Sequence, residues 1–179
     1  MMWQFLKPEQ GFQRYLLLLV CSLSFACSSE KSGNGEGAAY KVDLINAIRQ
    51  SSKIIVTEHS SELDFIQAGQ AATPKEKVYR TVTLTTRDRE NFIAAIEHVS
   101  DKTQQAFSAC VFDPHHTVYF YAQGKLSSKL DICFACSQQQ WDATKHTPPA
   151  DIHEGLAQFI KSVKLDTERE WANLVRNNI

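Results

Sequence analysis

The sequence lacks the features that several common functional classes require. Positive charge is not in excess, because 19 lysines and arginines face 20 aspartates and glutamates, for a formal charge of −1. This balance excludes the basic surface on which nucleic-acid binding depends, so we expect no DNA or RNA partner. Glycine-rich phosphate-binding loops and internal repeats are absent, and so are paired carboxylates suited to general acid and base catalysis.

Size and composition indicate a single globular domain. A chain of 179 residues corresponds to about one domain, at roughly 100 to 200 residues per domain. Its residues are 43% apolar and 22% charged, close to the roughly 45 to 50% and 25% of ordinary soluble domains. The composition therefore fits neither a disordered chain nor a protein that crosses a membrane several times.

The N-terminal region has the pattern of an export signal. Lys7 and Arg14 precede an apolar run that continues to Cys27, and this run is shorter than the roughly 20 residues that a transmembrane helix needs. The residues LSFAC, which end at Cys27, resemble the lipobox of bacterial lipoproteins, with Ser24 standing where that pattern prefers leucine. The resemblance implies a signal peptide at residues 1–26, lipidation of Cys27, and attachment to a membrane through the lipid anchor.

The same region predicts where the protein resides and where its domain begins. Ser28 resembles the residue that follows the lipidated cysteine in outer-membrane lipoproteins, so we expect the bacterial cell envelope, and the outer membrane in a Gram-negative source. Residues 27–38 are rich in glycine and polar residues and predict a flexible tether, followed by one domain at 39–179. Two alternatives remain open: a non-lipidated secretory peptide cut near Ala26, or an uncleaved anchor.

Hydrophobic periodicity predicts an α+β fold, with a mostly antiparallel sheet and helices packed on one face. Near residue 85, Thr85 and Asp88 have the spacing of a helix N-cap, and Asp151 and Glu154 have the spacing of a capping box. The elements predicted on either side of the central region are a helix at 39–50, a strand at 53–57, a long connection at 60–76, a strand at 77–85, a helix after Thr85, a polar loop at 138–149, an amphipathic helix from Asp151 and a short helix near Trp171.

Three further strands are predicted between residues 106 and 137, where apolar residues alternate with others. Cys110 and Cys133 fall on the face opposite to the core. The nine residues predicted to face the core are Phe107, Ala109, Val111, Val118, Phe120, Ala122, Leu130, Ile132 and Phe134.

A turn at Gly124 would bring the cysteines close to two histidines. Such a turn pairs residues whose numbers sum to about 247 or 248, which places Cys133 opposite Pro114 and His115, and His116 opposite residue 131 or 132. The Cys-x-x-Cys pair that starts at Cys133 is therefore expected beside the Pro-His-His corner. Cleavage and lipidation would leave the mature domain with three thiols, those of Cys110, Cys133 and Cys136.

This segment resembles a hairpin found in uncharacterised bacterial exported proteins and lipoproteins. Their pattern contains a Cys, a Pro, an Arg and a His, then a β-run, a glycine turn and Ile-Cys-Phe-Glu-Cys. The resemblance covers about 30 residues, with His115 in place of the Arg and Ala135 in place of the Glu, and the family has no known activity to carry over. The matching residues are Cys110, Pro114, His116, Cys133 and Cys136.

The candidate site comprises Cys110, His116, Cys133 and Cys136. These four residues have the ligand types and the Cys-x₂-Cys spacing of a structural zinc site, so they are predicted to bind zinc or copper, with His115 as a substitute ligand. In an oxidising compartment, Cys110 and Cys133 could instead form a cross-strand disulfide and leave a stapled binding domain without metal. A thiol-active protein that uses Cys133 and Cys136 for redox chemistry is a further alternative.

An enzymatic role is less favoured than a structural or binding role. A nucleophilic pair of Cys110 and His116 would need a third, orienting group, and the sequence does not identify one. The remaining histidines lie on polar segments and are expected to be solvated; they are His59, His98, His146 and His153.

Overall fold

A computed structural model describes residues 34–69, 76–103 and 109–177. The predicted signal peptide at 1–26, the lipidation site Cys27 and the predicted core residue Phe107 lie outside the described residues. The helices within these ranges are α1 (Asn34–Gln50), α2 (Glu62–Gln67), α3 (Thr86–Glu97), α4 (Ile152–Ser162) and α5 (Trp171–Asn177). The strands are β1 (Lys53–His59), β2 (Val78–Thr83), β3 (His116–Ala122), β4 (Lys125–Cys133) and β5 (Gln138–Trp141).

The strands form one sheet in the order β2-β1-β3-β4-β5. Every neighbouring pair is antiparallel. Strands β1 and β3 lie near the middle and are paired so that Ile54 is opposite Phe120 and Val56 is opposite Val118. Because side chains alternate between the two faces of a strand, this register places all four of these side chains on the same face.

That face forms the core together with three helices, so the predicted α+β fold is confirmed. Helices α1, α3 and α4 contribute residues at helical spacing, which gives each helix one apolar side that can be buried against the sheet. The fully buried members from the sheet and helices include Leu44, Ile48, Ile54, Val56, Phe92, Ile96, Val118, Phe120, Leu130, Ile132, Leu156, Phe159 and Ile160.

The turn between β3 and β4 lies where the sequence predicts it. Gln123 and Gly124 both have positive φ, 50° and 77°, as the two central residues of a type I′ hairpin turn do. Next to the turn, Ala122 pairs with Lys125. An irregularity between Phe120 and Tyr121 then shifts the register by one residue, so that Phe120 pairs with Ser128. The predicted register near the histidines is therefore confirmed, with His116 opposite Ile132.

The boundary between tether and domain differs from the prediction. Helix α1 begins at Asn34, so the last residues of the predicted tether at 27–38 are helical. Gly37 is buried there, and a Cβ atom at this position would lie 2.2 Å from the Asp101 carbonyl oxygen. The sequence shows a polar, glycine-containing stretch, but it does not show that one of these glycines allows a close contact between backbones.

The prediction of the first of the three central strands is wrong for the residues of that segment that the structure describes. Ala109 and Val111 lie outside any strand and are exposed, with 69% of Val111 accessible. Apolar alternation signals a strand only where a neighbouring strand can pair with it, and Cys110 lies instead in a loop that a disulfide holds. Of the other predicted core residues, Ala122 and Phe134 are only partly buried.

Two short elements occur where the sequence predicts connections. Helix α2 lies within the predicted connection at 60–76, and strand β5 lies within the predicted loop at 138–149. Helix α4 begins next to Asp151 as expected, but the Asp151 side chain makes no capping hydrogen bond. The apolar stripe of α4 therefore explains why a helix forms here, because most helical stability comes from the packing of an apolar face. None of the described helices combines the length and the apolar character needed to cross a membrane.

Candidate functional site

A disulfide joins Cys110 and Cys136, whose Cα atoms are 5.6 Å apart. It connects the loop before β3 to the turn after β4. Cys133, three residues earlier at the end of β4, is a free and buried thiol. The predicted pairing of Cys110 with Cys133 is therefore wrong, because Cys110 approaches the sheet from a loop and meets the turn rather than the strand.

The sequence correctly places the Cys-x-x-Cys pair beside the Pro-His-His corner. The backbone N–H of His115 donates to the carbonyl of Ile132 at 3.2 Å, directly before Cys133. The four predicted ligands do not form one ligand group within the part of the chain that the structure describes. Since the disulfide occupies two of the four, binding of zinc or copper by this set stays a prediction that requires reduction of the disulfide.

His116 is the first residue of β3, and its side chain is fully buried on the core face. Its ring makes T-shaped contacts with the rings of Phe134 and Trp171, with centroid distances of 5.2 and 5.8 Å. Burial lowers the pKa of His116 to about 3, although the nearby backbone of Asp166 offsets part of this effect. The imidazole is therefore neutral at physiological pH, in a largely aromatic environment.

His115, the predicted substitute ligand, contacts a different set of residues. Its Nε2 atom lies 3.0 Å from Oδ2 of Asp64 and 3.9 Å from Oδ2 of Asp113. One ligand atom from each of these three residues lies within 4.8 Å of the other two. The side chains of Asp64, His115 and Asp113 are 5%, 10% and 22% exposed. The structure thus brings together one imidazole and two carboxylates in a largely buried position.

Asp64 is fixed by the start of helix α2. Its side chain accepts a hydrogen bond from the backbone N–H of Ser61 at 2.7 Å, and the Ser61 hydroxyl accepts one from the N–H of Asp64. This capping box holds the carboxylate in place. Burial alone would raise the pKa of Asp64, but the hydrogen bonds from His115 and Ser61 outweigh it and lower that pKa below its usual value.

Helix α5 covers the other side of the His115 ring. The Trp171 ring stacks on it with a centroid distance of 4.5 Å and an interplanar angle of 11°. Tyr79 of β2 in turn stacks on Trp171 at 6.4 Å. These aromatic contacts restrict the orientation of the imidazole, so its Nε2 atom stays directed towards the two aspartates.

A cleft of about 530 Å³ adjoins this group. It lies between the segment that follows β1 and the disulfide-tethered residues Val111–Pro114. Asp113 belongs both to its lining and to the three-residue group, so the cleft connects that group with solvent. The side chains of His59, Glu62, Phe65, Glu76 and Phe112 also border the cleft.

The sheet face opposite the core carries a chain of polar contacts. The Thr117 hydroxyl donates to Asp131 Oδ1 at 2.7 Å and also contacts His59 Nε2 at 3.0 Å. Lys129 forms an ion pair with the same Asp131 carboxylate. Since Thr117 is buried and its proton is directed to Asp131, its hydroxyl is poorly placed to act as a nucleophile that His59 could activate.

Sequence reasoning missed several of these residues. His59 was expected to be solvated but is 4% exposed, and His153 is partly buried, whereas His98 and His146 are exposed as expected. Asp64 was overlooked because residues 60–76 read as a connection. One signal in the sequence could have found it. Ser61 and Asp64 have the spacing of a helix N-cap and an acidic residue at the third helical position.

Comparisons with known proteins give no relative for this chain: no family model, curated protein or solved structure matches it.

Proposed function

We propose that this chain is an exported, lipid-anchored binding protein, in which a disulfide fixes one wall of a ligand cleft. The observation that carries the proposal is the Cys110–Cys136 disulfide. Such bonds persist in oxidising compartments such as the bacterial periplasm and are rare in the cytosol. The proposal therefore agrees with the export signal that the N-terminal sequence resembles.

The position of the disulfide supports a role in binding. It tethers the loop whose residues Val111–Pro114 border the 530 Å³ cleft, and Phe112 also lines a second cavity of about 280 Å³. Exposed loops lose conformational freedom when they bind a ligand, and a covalent tether reduces that cost in advance. A loop that a disulfide holds between two cavities is thus suited to binding a ligand.

The polar groups of the site support binding better than catalysis. His115 is directed at two carboxylates rather than at a hydroxyl or thiol, and the Thr117 hydroxyl next to His59 already donates to Asp131. Cys133 is fully buried. A nucleophile needs both an activating base and access to substrate, and none of these groups combines the two.

Thiol counting on the full chain extracted from membranes tests this proposal. The protein would be denatured without reductant, alkylated, digested and analysed by mass spectrometry. We expect Cys133 to be alkylated, Cys110 and Cys136 to be recovered in one disulfide-linked peptide pair, and an acylated N-terminal peptide to begin at Cys27.

Other outcomes would replace the proposal with a named alternative. Alkylation of Cys110, Cys133 and Cys136 together would favour the reduced set of zinc or copper ligands. A disulfide between Cys133 and Cys136 would favour a thiol-active protein. Recovery of an unprocessed peptide that contains Cys21 would show an uncleaved N-terminus and would contradict the lipid anchor.

A further inference from the structure

We propose that Asp64, Asp113 and His115 form a binding site for a divalent transition-metal ion such as Zn²⁺, distinct from the cysteines. Aspartate oxygens and a histidine nitrogen are established zinc ligands, and three protein ligands leave a fourth position for water or another group. This inference goes beyond the proposed binding function and uses no cysteine as a ligand.

The distances suit a common metal ion. Ligand atoms about 2.0 to 2.2 Å from one zinc ion lie roughly 3 to 4 Å from each other in tetrahedral or octahedral arrangements. The observed separations from His115 Nε2 are 3.0 Å to Asp64 and 3.9 Å to Asp113. An ion can therefore take the place of the proton in the hydrogen bond between His115 Nε2 and Asp64. The Nε2 proton is released to solvent, and the Nε2 lone pair then faces the metal.

The charges of the group favour a cation. Asp64 and Asp113 carry two negative charges in a largely buried position, opposite one imidazole. Taking two carboxylates out of water costs free energy unless a cation or hydrogen-bond donors accompany them. A divalent ion would neutralise both charges, and the imidazole would supply the third protein ligand.

The surroundings provide both rigidity and access. The capping box holds Asp64, and stacking on Trp171 holds His115, so two of the three ligands are preorganised. Asp113 lies in the loop that the disulfide tethers and borders the open cleft. An ion and its remaining exchangeable ligand could thus reach the site from solvent.

The imidazole ligand selects the class of ion. Ca²⁺ and Mg²⁺ bind preferentially through oxygen atoms, whereas nitrogen ligands favour Zn²⁺ and its transition-metal neighbours. We therefore expect Zn²⁺ and Co²⁺ to bind, and a large excess of Mg²⁺ to compete poorly.

Titration of the full chain in detergent, without reductant or chelator, tests the site. Isothermal titration calorimetry with Zn²⁺ should show about one ion bound per chain, and Zn²⁺ should raise the melting temperature. Asp113→Asn should weaken binding by about tenfold or more. Without metal, the melting temperature of this variant should be no lower than that of the wild type. The substitution removes one of two neighbouring negative charges, and Asp113 makes only a long contact of 3.9 Å to His115.

A matched control is available on the surface. His146 also lies near two carboxylates, 3.1 Å from Glu36 and 4.0 Å from Asp43, but these side chains are well exposed. His146→Gln should leave the zinc titration unchanged, and so should Cys133→Ala. Bound Co²⁺ should show absorption bands of oxygen and nitrogen ligation without thiolate charge transfer.

Three results would overturn the site: no zinc binding by the oxidised wild type, undiminished binding by Asp113→Asn, or loss of binding in Cys133→Ala with thiolate charge transfer to Co²⁺. The last result would show that the metal is bound by Cys133 instead. None of them would change the thiol count that tests the proposed function, so the two ideas can fail separately.

Discussion

Burial, rather than local sequence, decides how individual histidines behave in this protein. His116 and His153 are both shielded, and burial lowers their pKa values to about 3 and about 4. His153 makes a T-shaped contact with the Phe134 ring and borders the cavity of about 280 Å³. A polar neighbourhood in the sequence therefore does not imply a protonated or solvated side chain in the fold.

His153 should make stability fall at mildly acidic pH. Its pKa is lowered in the folded state, so below the unfolded value of roughly 6.5 the unfolded chain binds a proton that the folded chain does not. Stability is then lost progressively as the pH falls from about 6.5 towards about 4. Because His153 as a whole is only partly buried, we expect a loss of about 1 to 2 kcal/mol between pH 7 and pH 5.

Denaturant unfolding of the wild type and of His153→Gln at both pH values measures this contribution. The variant cannot titrate at this position, so the difference in unfolding free energy between pH 7 and pH 5 should be smaller by about that amount. Equal pH dependence of the two proteins would show that His153 is not protonated differently in the folded and unfolded states.

At the scale of secondary structure, helices α3 and α4 approach each other closely because of one glycine. A Cβ atom on Gly155 would lie 2.7 Å from Val99 Cγ2 and 2.8 Å from the Ala95 carbonyl oxygen. The second of these contacts is to backbone, which cannot move aside without shifting α3. The glycine thus sets the distance between two helices that pack Phe92 against Phe159.

Gly155→Ala should destabilise the domain although alanine is the better helix former. Overpacking typically costs about 1 to 3 kcal/mol, which exceeds the gain of about 1 kcal/mol in helix propensity. Gly35→Ala is the matched control, because Gly35 also lies in a helix and a Cβ atom there meets nothing within 4 Å. It should leave the melting temperature unchanged or raise it, and a Gly155→Ala protein with an equally high melting temperature would contradict the predicted contact.

On the scale of the whole molecule, covalent and ionic links hold the periphery to the sheet. The disulfide closes a segment with a sequence separation of 26, for which chain entropy predicts a stabilisation of about 3 to 4 kcal/mol. Near the C-terminus, Arg169 forms a 3.0 Å ion pair with the fully buried Glu58 of β1. These links hold the peripheral segments that carry His115 and Trp171 against the sheet.

At the same scale, the predicted membrane attachment rests on Cys27, which lies outside the described ranges. If Cys27 carries the anchor, Cys27→Ala should move the protein to the soluble fraction, because membrane affinity would then come from the acyl chains. Immunoblotting of salt-washed membranes measures the change. The melting temperature should stay the same, and retention of the variant in washed membranes would indicate an uncleaved N-terminal anchor.

The sequence by itself determined the elements whose signal is local. Alternating apolar residues sufficed to predict the two strands of the central hairpin, through Val118 and Leu130. An apolar stripe sufficed to predict the last long helix, through Leu156 and Phe159. Both signals are local because periodicity reflects which side of an element is buried. The register of the hairpin followed from one glycine, because Gly124 readily adopts the positive φ of the turn.

Only the tertiary structure decided the partners of the chemically active side chains. The disulfide joins Cys110 to Cys136 rather than to Cys133 because a loop, whose path local pattern does not specify, carries Cys110 to the turn. Asp64 and His115 are 51 residues apart in the chain. Their meeting depends on how α2 packs at the end of the sheet, and long-range packing of this kind leaves no periodic trace in the sequence around either residue.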